Sequence, residues 1–301
     1  MSTHTIKGLR EQFKAVGKFH TPPELALFLR ALIPGEPDKV YDPTCGAGAL
    51  LSVFPDGCAK YGQDIDAVAL EDAALLPNFT GHLGDVFTDP AWVDERFGSI
   101  VANPPFSVRW EPQADERFMT VPTVPTASRA DYAFLIHILH MLAPDGTAAV
   151  LQFPGVLYRG GREGVLREWM VRENFVDQVI RIPGGSFTDT SIDTACLVLR
   201  KNRESTDITF TDQENGLTET VTFALLEAAG FNLSVSRWVR EPEPERGLFD
   251  ALGTEMTARR GFLRKLRAEL RFSRQVAEFE GFDWREFVTQ IRAVLDEEET
   301  A

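Results

Sequence analysis

Cysteine is scarce in this chain. Three stand among 301 residues, Cys45, Cys58 and Cys196. They are odd in number and far apart, so they form neither a metal knuckle nor a disulfide framework. Met1–Thr5 shows no charged segment leading into an apolar one, so no secretory signal is expected and a reducing cytoplasm is the expected setting. Long apolar runs are missing too. No stretch reaches about 18 residues, which excludes an expected membrane span. Positive charge is outnumbered, 31 Lys and Arg against 45 Asp and Glu, for a net charge of −14. Tight binding to a phosphate backbone is driven largely by Lys and Arg. The balance therefore argues against autonomous nucleic-acid binding, while leaving room for a local basic surface or a basic partner. No cluster has metal-ligand spacing. His137 and His140 lie on one apolar helix without a nearby Cys or carboxylate at ligand spacing, and read as core or helix-surface histidines, so no metal is expected.

What is present is enough hydrophobic residue, 44%, for a sizeable core. The chain alternates short apolar strands with helical patterns, as in a parallel α/β sheet. Thr21-Pro22-Pro23-Glu24 reads as a capping box, with Thr21 at the N-cap and Pro22 at the first helical position. Lys39–Asp42 reads as the first strand, Pro43–Gly48 as a tight turn, and Ala49–Phe54 as the start of a helix. Strand, glycine turn and helix in that order suit a nucleotide. Gly46 and Gly48 let a backbone approach a ligand closely. Leu51 stands where a dinucleotide site needs a third glycine, so a pyrophosphate is not indicated.

Further acids follow at strand ends. Asp64 closes a second strand about 20 residues beyond Asp42, where a carboxylate can hold ribose hydroxyls. Gly84-Asp85-Val86 follows a third. The fourth strand, Ser99–Ala102, runs into Asn103-Pro104-Pro105-Phe106. Two prolines cannot continue a central strand, so an amide and an aromatic ring are held on a stiff turn at its carboxyl end. An amide offers an acceptor and two donors to an amino group, and a ring can stack on a flat heterocycle. Residues 107–129 lack a period and contain Pro112, Pro122 and Pro125; a loop this long beside such a turn is expected to face substrate. A helix at 131–142 is expected to end at Pro144-Asp145-Gly146. Strands at 147–153, 176–182 and 194–199 complete seven, with 207–211 as a further edge.

The ordered set Phe19-x-Thr21-Pro22, Asp42-Pro43-x-x-Gly46-x-Gly48, Asp64, Gly84-Asp85 and Asn103-Pro104-Pro105-Phe106 resembles the modification subunits of type I restriction–modification systems. Those are adenine-N6 DNA methyltransferases that use S-adenosylmethionine. Ala130–Leu135, Tyr158-Arg159-Gly160-Gly161, Ile182-Pro183 with Phe187, Ile192-x-Thr194, Leu197–Leu199 and Phe231–Ser234 extend the likeness over residues 13–240. The resemblance implies a doubly wound, mostly parallel seven-stranded sheet of the Rossmann-like methyltransferase kind. It implies that Phe19 and Thr21 pack over the cofactor, and that Asp42, Pro43 and the Gly46–Gly48 turn hold its methionine part. Asp64 would hold its ribose, and Asp85 with Val86 its adenine. A flipped adenine would then meet Asn103, Pro104, Pro105 and Phe106. The NPPF element alone also occurs in methyltransferases of RNA and of protein glutamine. Those substrates, and a non-catalytic cofactor-binding decoy, are the alternative readings.

The methyltransferase domain is expected at 1–213, with a helical extension at 214–301. Val221–Ala229 looks helical, Glu241–Glu245 reads as an acidic hinge, and a long helix is expected from Leu248 to about Glu280. Between Arg259 and Arg274 stand seven basic residues and one acid, Glu269, beside an apolar stripe of Phe262, Leu266 and Leu270. That face suits a docking partner. The resemblance supplies one: a specificity subunit that reads DNA, and a restriction subunit where one exists. Members of the family usually carry a helical domain that grips DNA ahead of the cofactor unit. About 12 residues precede the match here, so DNA binding is expected to depend on a partner.

Overall fold

Val40, Tyr41, Ile100, Val101, Ala148, Ala149, Val150 and Leu151 are all buried, as strands covered on both faces must be. The computed structural model describes residues 21–185 and 193–240, together with Arg259, Leu263 and Thr289. The chain divides into two units at Arg240 and Glu241. In the second unit Arg259, Leu263 and Thr289 are helical. The acidic hinge, the apolar stripe and the rest of the basic face lie outside the described residues, as do Phe19, Phe187 and Ile192.

The first unit is a doubly wound α/β fold. Its strands are β1 (Lys39–Asp42), β2 (Ala59–Asp64), β3 (Phe79–Leu83), β4 (Phe97–Ala102) and β5 (Leu142–Gln152). They continue as β6 (Val176–Ile182), β7 (Thr194–Arg200), β8 (Ile208–Asp212) and β9 (Leu217–Val221). The sheet order is β3-β2-β1-β4-β5-β7-β6-β8-β9. β7 runs antiparallel to β5 and β6, and β9 antiparallel to β8; the other neighbours are parallel.

Among the described residues the sheet thus has nine strands rather than the expected seven. The extra width is the β8–β9 hairpin. β9 escapes a hydrophobic reading because Thr218, Glu219 and Thr220 are all exposed on the sheet's edge. The helix expected to start at Ala49 is instead a series of turns, in which Gly48 O accepts from both Leu51 N and Ser52 N. Pro144–Gly146 does not end the helix but lies within β5, at a register irregularity against β4.

The helices are α1 (Pro23–Ala31), α2 (Ala67–Ala73), α3 (Glu116–Met119), α4 (Asp131–Met141), α5 (Arg162–Arg172), α6 (Phe223–Ala228) and α7 (Val235–Trp238). α1 shows Leu25, Ala26 and Leu29 to one face of the sheet, where they join Val40, Val101, Ala149 and Leu151 in one core. Tyr41, Ile100, Ala148 and Val150 point the other way and meet α4, α5 and α7 in a second core. All of α4 except His140 is buried, so it reads as apolar all round, as a central helix does. α7 lies on β8 and β6.

Candidate functional site

The sheet order reverses between β1 and β4. At such a switch point the connections leave in opposite directions and open a crevice beyond the carboxyl ends of the strands. Asp42, Asp64, Asp85 and Asn103 all stand at or just beyond those ends, on β1, β2, β3 and β4. One edge of the sheet therefore gathers residues spread over some sixty positions of sequence.

Asp42 is 1% exposed. Its Oδ1 accepts from Thr44 N at 2.9 Å. Burial pushes its carboxyl up to about 8; the Thr44 amide opposes the rise and the Asp64 charge adds to it. A positive group brought beside it would favour its ionised form. Asp64 is half-buried and shapes the turn from the other side. Its Oδ2 accepts from Gly46 N at 2.7 Å and its Oδ1 from Asp66 N at 2.9 Å. Asp85 is exposed, with Oδ1 accepting from Phe87 N at 2.8 Å. Gln63, wholly buried, fixes the approach to Asp85. Its amide donates to Gly84 O and Asp89 O and accepts from Ala91 N.

The two glycines of the turn do different things. Gly46 has φ +51°, and a Cβ there would meet nothing within 4 Å, so its face is open. Gly48 has φ +81°, and its Cβ would lie 2.6 Å from Leu76 Cδ1 and 3.3 Å from Ala73 Cβ. Gly48 therefore lets α2 seat against the turn, while Gly46 presents backbone to the crevice.

Asn103 follows β4, half-buried between buried Ala102 and buried Pro104. Its Nδ2 donates to Thr21 Oγ1 at 3.2 Å. Thr21 is accordingly not the N-cap of α1. The cap is Pro22, without a side-chain cap bond, and Pro23 begins the helix. The threonine hydroxyl is turned to the amide instead, and with Nδ2 occupied Oδ1 keeps its acceptor capacity. Phe106 is half-buried against the α1-side core. Beyond it Ser107 has φ +54°, and Ser107 N donates to Asp131 Oδ1 at 3.2 Å. Asp131, buried at the start of α4, thus fixes the exit of the turn.

Ile65 was not singled out from the sequence. It is 75% exposed directly after Asp64, an apolar side chain at the rim where a flat ring can lie. Its signal was present in the strand-end Asp64-Ile65-Asp66. The set as a whole fits S-adenosylmethionine: a buried acid with a raised pKa for a cationic ligand, a carboxylate for hydroxyls, and an apolar rim with a further acid for a heterocycle. Among the described residues no group of His, Cys, Asp or Glu could hold a metal ion, and no helix is long and apolar enough to cross a membrane. The three thiols are buried and unpaired.

Comparison with known proteins matches the sequence model of one family, described as N-6 DNA Methylase, to residues 7–241. The methylase subunit of the type I restriction enzyme MpnII from Mycoplasma pneumoniae is 35% identical over 67% of this chain and 44% of its own length. That of MjaIX from Methanocaldococcus jannaschii is 28% identical, over 63% of this chain and 38% of its length. This chain thus spans less than half of either relative. Among solved structures, the methyltransferase subunit of a type I restriction–modification system from Streptococcus thermophilus superposes with a TM-score of 0.67. It is 26% identical, over 74% of this chain and 59% of that one.

Proposed function

The chain belongs to the N-6 DNA methylase family, and from that premise we propose that it is the catalytic modification subunit of a type I-like restriction–modification system. It transfers a methyl group from S-adenosylmethionine to the N6 of an adenine flipped out of DNA. The observation that carries this reading is the position of Asn103. It stands on a proline-stiffened turn across the switch point from Asp42, Asp64 and Asp85, with its amide nitrogen held by Thr21.

When bound, the cofactor supplies an electrophilic methyl on a sulfonium. The chain's own residues do the rest. Asp42 and the open face of Gly46 hold the methionine end, with Pro43 stiffening the turn between them. Asp64 holds ribose hydroxyls, and Ile65 with Asp85 and Val86 holds the adenine. Thr21 closes over this pocket, a role that the family resemblance extends to Phe19. Asn103 Oδ1 and the Pro104 carbonyl accept hydrogen bonds from the target amino group. That localises the nitrogen lone pair and aims it at the methyl. Phe106 stacks on the base, and Pro105 keeps the turn rigid. An exocyclic amine of this kind would release its proton to solvent as the new N–C bond forms and the sulfonium's S–C bond breaks, so alignment and fixed dipoles carry the catalysis rather than a strong base.

The match to a DNA methylase family favours DNA over RNA or a protein glutamine, and the complete Asn-Pro-Pro-Phe turn argues against a decoy. A DNA-reading specificity subunit is the proposed partner, docking on the second unit, joined by a restriction subunit where one exists. The unpaired thiols suit the cytoplasm. Calorimetry and a methyl-transfer assay on the assembled complex test the reading together. Asn103→Ala is expected to keep most cofactor affinity and lose methyl transfer. Transfer at the normal rate by that variant would falsify the role given to the amide.

A further inference from the structure

The long segment between the Asn103 turn and α4 carries a second polar centre that no sequence pattern marked. Arg117 lies on α3 and is 4% exposed. A guanidinium has five N–H donors in a fixed fork, and here each has a partner. Nε and one Nη2 hydrogen hold the Asp115 carboxylate. The other Nη2 hydrogen goes to Phe87 O at 2.9 Å. Nη1 donates to Val86 O at 2.6 Å and to His137 Nδ1 at 2.9 Å.

Because arginine only donates, Nδ1 of His137 must be bare, and its proton sits on Nε2. Nε2 then donates to Tyr41 Oη, 3.1 Å away. Tyr41 directly precedes Asp42. One cation therefore joins four parts of the crevice: the Val86–Phe87 backbone next to Asp85, α4, the end of β1, and the segment that leaves the Asn103 turn. Aromatic rings complete the joint. Phe87 lies 5.0 Å from Trp110 and 4.7 Å from Phe134, and Trp110 lies 5.0 Å from Phe118. Trp110 and Phe118 belong to the segment, Phe87 to the cofactor wall. The segment is also tied to itself, through Trp110 N to Ala127 O and Trp110 Nε1 to Thr126 O.

We propose that Arg117 is a positioning residue that makes the cofactor wall at Asp85–Phe87 and the substrate-facing segment after the Asn103 turn one rigid body. Filling the cofactor site is then felt in that segment, and the base-binding turn is presented in register with the cofactor. The inference rests on the methyltransferase reading of the site. A lysine in place of Arg117 keeps the charge and cannot make the fork.

The test is a titration of the intact chain with S-adenosylmethionine, followed by calorimetry and tryptophan emission, well below the melting temperature of every variant. The wild-type emission change is expected to be largely absent from Trp110→Phe, which assigns it to that ring. Arg117→Lys is expected to raise the dissociation constant about tenfold, the scale of one charge-assisted hydrogen bond, and to lose the Trp110 signal at saturation. Asp115→Asn, at a partly exposed position, is expected to fold normally and weaken the signal. Variants that melt earlier yet keep wild-type affinity and the full Trp110 signal make Arg117 a support of the fold only, and overturn the proposal. A wild-type chain that binds no S-adenosylmethionine overturns the methyltransferase reading itself, a result separable from either.

Discussion

A carboxyl group that keeps its proton at neutral pH makes the Asp42 region sensitive to solution acidity. Its pKa rises from 3.8 to about 8, first through burial. Between those values the folded chain holds a proton that the unfolded chain has released. The contribution of Asp42 to stability therefore falls as pH rises from about 4 to about 8 and levels off above, with a slope of up to about 1.4 kcal/mol per pH unit, while the buried His137, whose pKa burial lowers, contributes in the opposite direction. Denaturant melts at pH 5, 7 and 9 are expected to show that decline in the difference between the wild type and Asp42→Asn, which lacks the carboxyl. Cofactor affinity runs the other way: a cationic ligand prefers the ionised acid, so binding should tighten as pH rises towards about 8, where the ligand's own amino group begins to lose its proton. Affinity independent of pH over that range would remove Asp42 from the cation's surroundings. Asp42, Asp64 and Asp85 were legible in the sequence because the first two close short strands and the third stands two residues beyond another, and parallel strands deliver such positions to one edge. Arg117 was not legible, because beyond the neighbouring Asp115 its partners are carbonyls at Val86 and Phe87 and a ring at His137, set by tertiary packing.

At the scale of elements, the turn after β1 separates stability from binding. Gly46 and Gly48 both have positive φ, and only Gly48 faces α2. Gly48→Ala is expected to cost about 2 kcal/mol, from the strained backbone and the displaced Leu76. Gly46→Ala is expected to cost about 1 kcal/mol in stability and to weaken cofactor binding more than Gly48→Ala does. Urea melts and calorimetry on the pair check this; the reverse ranking in both would be wrong for the turn described. β1 and β6 were readable to the residue, since β-branched and apolar residues bounded by turn residues leave little choice of boundary. β9 was not, because an edge strand needs no apolar face, and the segment after Gly48 was not, because its pattern fits a helix that the chain does not complete before Pro55. Thr21 looked like a cap on local grounds, but its hydroxyl found Asn103, far away in sequence.

For the whole molecule, charge sets the terms of its encounter with DNA. At −14 the chain has poor long-range attraction to a polyanion. The isolated chain is expected to bind cofactor yet show little sequence-specific affinity for DNA, and the complex with a specificity subunit to methylate a split site. Ending the chain after Pro244 keeps the unit that closes at Arg240 and removes the proposed docking helices. Cofactor binding should survive and co-purification with the partner should fail. Efficient site-specific methylation by the chain alone at moderate salt counts against this arrangement. The outer strand β9 bears on the interval before the partner arrives. Glu219 is exposed in the middle of the outermost strand among the described residues, and a second edge laid alongside would have to desolvate that carboxylate. Sheet growth from copy to copy is disfavoured there, which helps a subunit made ahead of its partner to stay free for assembly.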